Sequence, residues 1–423
     1  MPPLTRARAA ADAPTLLDAL ARARAAAALV VAALGVEDRK ALRLVCTQLR
    51  DAVGEETTKL AADYEDVAAG SRPPTSQRWP RLAALTVFLP ELAGLELATV
   101  EALGAETWGS LRSLDLCRRT KTVVDVHSVR ALTAALRRMP TLRTLHIWNA
   151  ALSDAAASEL FRASSAETVP QLRALSVANA GLTPAAARML AVTGWRLEAL
   201  DLRWNQTPLE AAGLAALLAA PSFNLRRLHL GACGLDAASL LTLANAPWPL
   251  EELNLCDNDF SAAAGPALAA LSRHRGLRKL DVSFSPLSSA GFRALVEATW
   301  PALTSFSSRV AGARALGAAA FAGFPVLEEL VLTRVQLGEA GLQLLASRRW
   351  HRLRRLKLAD ASVSAAGLAA LARGEWPALE HLDLRNNALG APLALHAARR
   401  WAPALEELLQ GDVDVSVLVA DAD

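Results

Sequence analysis

Residues 250–260 read LEELNLCDNDF, and this pattern, LxxLxLxxNxL, returns along the chain. LRTLHIWNAAL (142–152), LRALSVANAGL (172–182), LRRLHLGACGL (225–235), LRKLDVSFSPL (277–287), LEELVLTRVQL (327–337), LRRLKLADASV (353–363) and LEHLDLRNNAL (379–389) are copies of it. From Leu82 to Leu405 the first leucines recur at intervals of 24 to 31 residues. A period of that length marks a repeat architecture, in which each copy is too small to bury its own apolar face.

The alternation in LxL predicts a short strand with both leucines on one side and the residue between them on the other. Alanine-rich helical stretches follow most strands, among them PAAARMLAV (184–192), EAAGLAALLAA (210–220) and SAGFRALVEA (289–298). A helix between successive strands makes the sheet parallel. The ninth template position is Asn205, Asn258 and Asn387 in three copies and Cys233 in another. An inward Asn there can bond backbone groups that burial would leave unpaired. Trp79, Trp108, Trp195, Trp248, Trp300, Trp350, Trp376 and Trp401 stand two to four residues before a first leucine. They are expected to plug the bend where a helix returns to the next strand.

These copies resemble the leucine-rich repeats, in particular the ribonuclease-inhibitor-like branch. That resemblance implies an α/β solenoid: a right-handed horseshoe with parallel strands on the concave face and helices on the convex face. The copy at 303–326 has lost most of its leucines.

Residues 1–65 do not follow the repeat, and GSRPPTSQR (70–78) reads as a linker. The expected division is a helical module over 1–65, a linker over 66–78 and the solenoid over 79–423. Two helices are predicted, about 15–34 and 38–62. In the second, Leu42, Val45, Cys46, Leu49 and Val53 form one apolar stripe behind Asp38 as an N-cap. Leu34, Asp38, Leu42, Val45, Cys46 and Leu49 resemble, in order, the second half of an F-box. The usual Leu-Pro start is missing, and Leu49 stands where Trp is common. The resemblance implies docking to a Skp-type adaptor of a ubiquitin ligase. The same stripe also suits a cap over the open end of the first repeat.

Charge separates the partner classes. Forty-five basic and 42 acidic residues leave a net +3 with no basic block, which argues against a nucleic-acid binder. The four cysteines are scattered without CxxC spacing, so neither a disulfide framework nor a zinc site is expected. The apolar run 25–34 is too short for a bilayer span, and Asp12 and Asp18 argue against a presequence. The expectation is a monomeric cytoplasmic protein off the membrane, with the cytoskeleton, a ciliary axoneme or the nucleus as alternatives.

No catalytic motif appears: no HExxH, no P-loop, no GxSxG elbow. No cofactor or metal is expected, and the chain reads as a non-enzyme. The solvent-facing strand positions are the candidate site, expected to hold another protein. They are His146, Trp148, Asn149, Asp201, Arg203, Trp204, Arg227 and Asp257, with Trp148 and Trp204 as aromatic anchors.

Overall fold

The computed structural model describes residues 59–63, 81–89, 100, 103–105, 107–163, 166–205, 210–260, 264–309 and 316–387. The chain divides into two compact units, 1–176 and 177–423. In the first, β1 (Lys59–Asp63), β2 (Ala84–Leu89), β3 (Ser113–Val124) and β4 (Thr144–Leu152) pair parallel in chain order. Helices α1 (Val126–Leu136) and α2 (Asp154–Ala163) follow β3 and β4. The division between the units falls inside β5 (Ala174–Ala178).

The second unit pairs β6 (Ala199–Asp201), β7 (Arg227–His229), β8 (Glu252–Asn254), β9 (Lys279–Val282), β10 (Ser305–Ser308), β11 (Glu329–Val331), β12 (Arg355–Lys357) and β13 (His381–Asp383), again parallel and in order. Its helices are α3 (Pro184–Ala191), α4 (Glu210–Leu218), α5 (Ala237–Ala244), α6 (Gly265–Ala270), α7 (Ser289–Glu297), α8 (Gly338–Ala346) and α9 (Ala365–Ala372). This is the α/β leucine-rich repeat arrangement that the template implies.

The register follows the leucines. Leu200, Leu228, Leu253 and Leu280 are opposite one another across β6–β9, and Leu330, Leu356 and Leu382 across β11–β13. Leu253 and Leu255 are 1% and 0% exposed, as the alternation requires of the side facing the helices. Neighbouring helices lie close because their facing residues are small. A Cβ on Gly265 would sit 3.4 Å from the Gly291 Cα. The residue after the template caps the next helix: Thr183, Asp236, Ser288 and Ser364 each accept a backbone N–H three residues on.

The asparagines bond as expected. Asn258 Oδ1 accepts the Cys233 and Leu235 N–H groups of the preceding repeat, and its Nδ2 donates to the Leu230 and Leu255 carbonyls. Asn205 does the same for Ala180, Leu182, Val177 and Leu202. Where the position is Cys233 or Ser285, the smaller side chain still donates to one carbonyl, Leu202 or Leu255. Trp108, Trp195, Trp248, Trp300 and Trp350 are buried at the bends, and Trp376 is half-buried. Trp79 and Trp401 lie outside the described residues.

Two features depart from expectation. Residues 59–62, expected at the end of the second helix, belong to the strand Lys59–Asp63, which pairs with β2 and puts Leu60 opposite Leu85. The backbone groups along an open sheet edge attract a further strand, and that long-range pairing overrides local helical periodicity. In the leucine-poor copy, no helix joins β10 and β11 among the described residues. Aromatic rings fill the interior there instead: Phe306 and Phe324 lie 5.7 Å apart, Phe321 is 6.4 Å from both Phe324 and Trp350, and Trp376 stacks on Trp350 at 6.4 Å. Gly323 makes this turn possible, since a Cβ on it would meet the Ala298 carbonyl oxygen at 2.0 Å.

Candidate partner-binding face

In the first unit, Thr86, Asp115 and His146 are opposite one another on β2, β3 and β4. The His146 Nδ1 is 2.8 Å from one Asp115 carboxylate oxygen, and the Thr86 hydroxyl donates to the other at 3.1 Å. The bond from His146 holds the Asp115 carboxyl below its usual range, burial working against it. Trp148, two residues along β4 and in register with Cys117, is 40% exposed. Asn149 has φ 59°, and its Nδ2 donates to the Arg118 carbonyl of β3.

In the second unit, the Asp201 carboxylate and the Arg203 side chain meet on the same side of the chain, two residues apart. Oδ1 accepts from Arg203 N and Nε at 3.0 Å, and Oδ2 accepts from Nη2 at 2.8 Å. Burial pushes the Asp201 carboxyl up, and the Arg203 contacts outweigh it, leaving it below its usual range. Asp383 and Arg385 repeat the geometry in the same template positions. Arg227 is exposed on β7 in register with Glu252. Glu252 lies between the His229 Nε2, at 3.1 Å, and the Lys279 Nζ, at 3.8 Å.

The backbone adds a rule that residue type conceals. At the eighth template position Asn149, Asn179, Trp204, Ala232, Asp257, Phe284, Arg334, Asp360 and Asn386 all have φ between 52° and 63°. Within the second unit the parallel ladder explains the turn. The N–H groups of Trp204, Ala232 and Asp257 donate to the Gly231, Cys256 and Ser283 carbonyls of the next repeat. A left-handed residue other than Gly costs roughly 1–2 kcal/mol, which the ladder offsets. This turn lifts Trp204 and Phe284 out of the sheet surface, 42% and 58% exposed. Asp257 is exposed at the same position.

Sequence reasoning named Trp204 and Asp257 but missed Phe284, although it occupies the same letter of the template. Trp148 and His146 belong to the first unit; Asp201, Arg203, Trp204, Arg227 and Asp257 belong to the second. Leu34, Leu42, Val45, Cys46 and Leu49 lie outside the described residues.

Among the described residues no three His, Cys, Asp or Glu side chains converge in a way that would hold a metal ion. None of their helices is long and apolar enough to cross a membrane. The half-buried Cys256 thiol is pushed up to about 11 by burial first and then by the charges of Asp281 and Asp257, which Arg203 opposes. A thiol so protonated is a poor nucleophile. What the face offers is fixed aromatic surface among mixed charges.

No family model matches the chain, and no curated protein matches it. Among solved structures it is similar to a chain of a TLR13–ssRNA13 complex, at 18% identity and TM-score 0.45, over 87% of this chain and 53% of that one. This chain therefore spans about half the length of that protein. It is similar to the internalin InlF of Listeria monocytogenes, at 14% identity and TM-score 0.44, over 83% and 94% of the two chains. It is also similar to a chain of the Rad7–Elc1 complex of yeast, at 14% identity and TM-score 0.46, over 84% and 92%. At these values the likeness says nothing of what this chain binds.

Proposed function

We propose that the protein is a non-catalytic scaffold that holds another protein on the sheet face opposite its helices. One observation carries this reading: large aromatic side chains stand exposed on that face at positions the repeat does not need for its interior. Trp148 and Trp204 are 40% and 42% exposed, whereas the bend tryptophans Trp195, Trp248 and Trp300 are at most 3% exposed. Aromatic anchors beside arginine are the composition of interface hot spots. The polar contacts of this reading are His146 and Asn149 on the first unit, and Asp201, Arg203, Arg227 and Asp257 on the second.

A photo-crosslinking residue placed in turn at positions 148, 204 and 257 tests the reading, with position 241 on α5 as the control. The expected result is one protein partner captured from the three sheet-face positions and not from 241. Capture from 241 alone would overturn it.

The finer reading is a substrate receptor of a ubiquitin ligase, supported by the F-box resemblance of Leu34, Leu42, Val45, Cys46 and Leu49. Co-purification with a Skp-type adaptor, lost on deleting residues 1–70, is the expected outcome. Purification without adaptor would leave the cytoskeletal or axonemal scaffold, which fractionation with microtubules tests.

A further inference from the structure

In the second unit the sheet face between Trp204 and Phe284 has the features of a trough. The four strands β6 to β9 are consecutive neighbours, so the two rings stand three strand spacings apart, roughly 14 Å. In the two repeats between them the seventh template positions are Gly231 and Cys256, both small. Gly231 has no room for a side chain, because a Cβ there would meet the Cys256 Sγ at 2.7 Å. The floor is therefore low and the two aromatic walls are high. An extended chain of four or five residues spans this length, at about 3.3 Å per residue.

Charge decides what lies in it. Arg203 is taken up by Asp201, Lys279 and His229 flank Glu252, and Arg227 is exposed on β7 in register with Glu252. Asp257, in the repeat of β8, and Asp281, on β9, have no ion pair among the described residues; Asp281 accepts from Asn254 Nδ2 and the Ser283 N–H. At the far wall the Arg309 guanidinium lies 4.2 Å from the centre of the Phe284 ring. The Phe284 ring face is already covered by a cation, and an incoming one is drawn to Asp257 and Asp281 instead.

We propose that this trough binds an extended segment of a protein partner that places one Lys or Arg between Asp257 and Asp281 and an apolar side chain against each ring. The inference rests on the scaffold reading above and names the chemistry of its partner. Trp204 adds a ring face to which a cation is attracted.

The test uses the full chain and a phage-displayed library of random ten-residue peptides. Selected peptides are expected to share one Lys or Arg flanked by apolar or aromatic residues. A synthetic copy should bind Trp204→Ala and Asp257→Asn at least about ten-fold more weakly, with melting unchanged. Asp257→Lys should reject it, and exchanging the peptide's basic residue for Glu should restore binding to that variant. Selection of acidic peptides, of no peptide, or of peptides that bind both variants like the parent would overturn the proposal. Peptides that depend on Trp148 and ignore Trp204 would also overturn it while leaving the scaffold reading standing. Crosslinks from position 241 alone would instead remove the scaffold reading itself.

Discussion

The Trp300 indole N–H donates to the Leu295 carbonyl oxygen at 2.9 Å, five residues back in the last turn of α7. Trp108, Trp350 and Trp376 bond Leu103, Leu345 and Leu371 at the same separation. These rings fill the bend and also place their indole N–H on a backbone carbonyl five residues back, where a helix end has spare acceptors. Trp248, like Trp195, is an exception: its buried Nε1 has no acceptor among the described residues. The equivalent carbonyl, Leu243, accepts from the Ala246 N–H and lies 2.8 Å from the His274 Nε2 of the next repeat.

The pair yields a controlled comparison. Trp300→Phe and Trp248→Phe remove similar volume, but only the first breaks a bond. Trp300→Phe should be the more destabilising by about 1 kcal/mol, read by chemical denaturation. Equal losses would show that the indole bonds contribute nothing.

Asn258→Ala leaves the buried Cys233 and Leu235 N–H groups without acceptors and removes the amide donor to the Leu230 and Leu255 carbonyls, of which Leu255 keeps the Ser285 hydroxyl. The expected loss is on the order of 3 kcal/mol. Ser285→Ala, which removes a hydroxyl that donates to the Leu255 carbonyl and accepts the Asn258 N–H, should cost less, because fewer buried groups lose a partner. Denaturation midpoints of the two variants check the order.

Much of this was legible. The leucine period predicted strands, register and interior, and the Asn positions predicted their own bonds, because burial acts on those residues directly. The left-handed eighth position was not legible. It is filled by Asn, Asp, Trp, Ala, Phe and Arg alike, since the ladder to the next repeat imposes it and side-chain preference does not. The Arg203–Asp201 grip was readable in principle from DLR at 201–203, where positions two apart share a side. The strand at Lys59–Asp63 depends on pairing with Ala84–Phe88, which no local window contains.

Leu253→Ala and Leu255→Ala should each cost on the order of 2–5 kcal/mol. In a stack whose copies touch only their neighbours, the loss should appear first nearby. Hydrogen exchange is expected to show deprotection over residues 225–285 ahead of the remainder. Uniform deprotection would contradict the nearest-neighbour picture.

Burial pushes the Asp201 carboxyl up and Arg203 outweighs it, and Arg385 lowers Asp383 against a smaller burial effect, so both have folded-state pKa values below 3.8. The unfolded chain then binds more protons just below pH 3.8, so stability rises with pH there. Their contribution is present above about pH 4 and is lost as pH falls through the lower folded values. Arg203→Met should therefore be less stable than the parent at pH 6 and converge with it in strong acid. A difference that persisted at pH 2 would show that Arg203 acts through packing alone.

The central claim is that the repeat interior and the sheet face are energetically separate. The most direct measurement compares partner affinity and melting temperature for Trp204→Ala and Trp248→Ala, using the partner captured at positions 204 and 257. Trp204→Ala is expected to lose about 2 kcal/mol of binding and to melt with the parent. Trp248→Ala, whose ring is 3% exposed, is expected to melt early and, where folded, to bind normally. Early melting with unchanged binding for Trp204→Ala would make that ring a packing element and contradict the account.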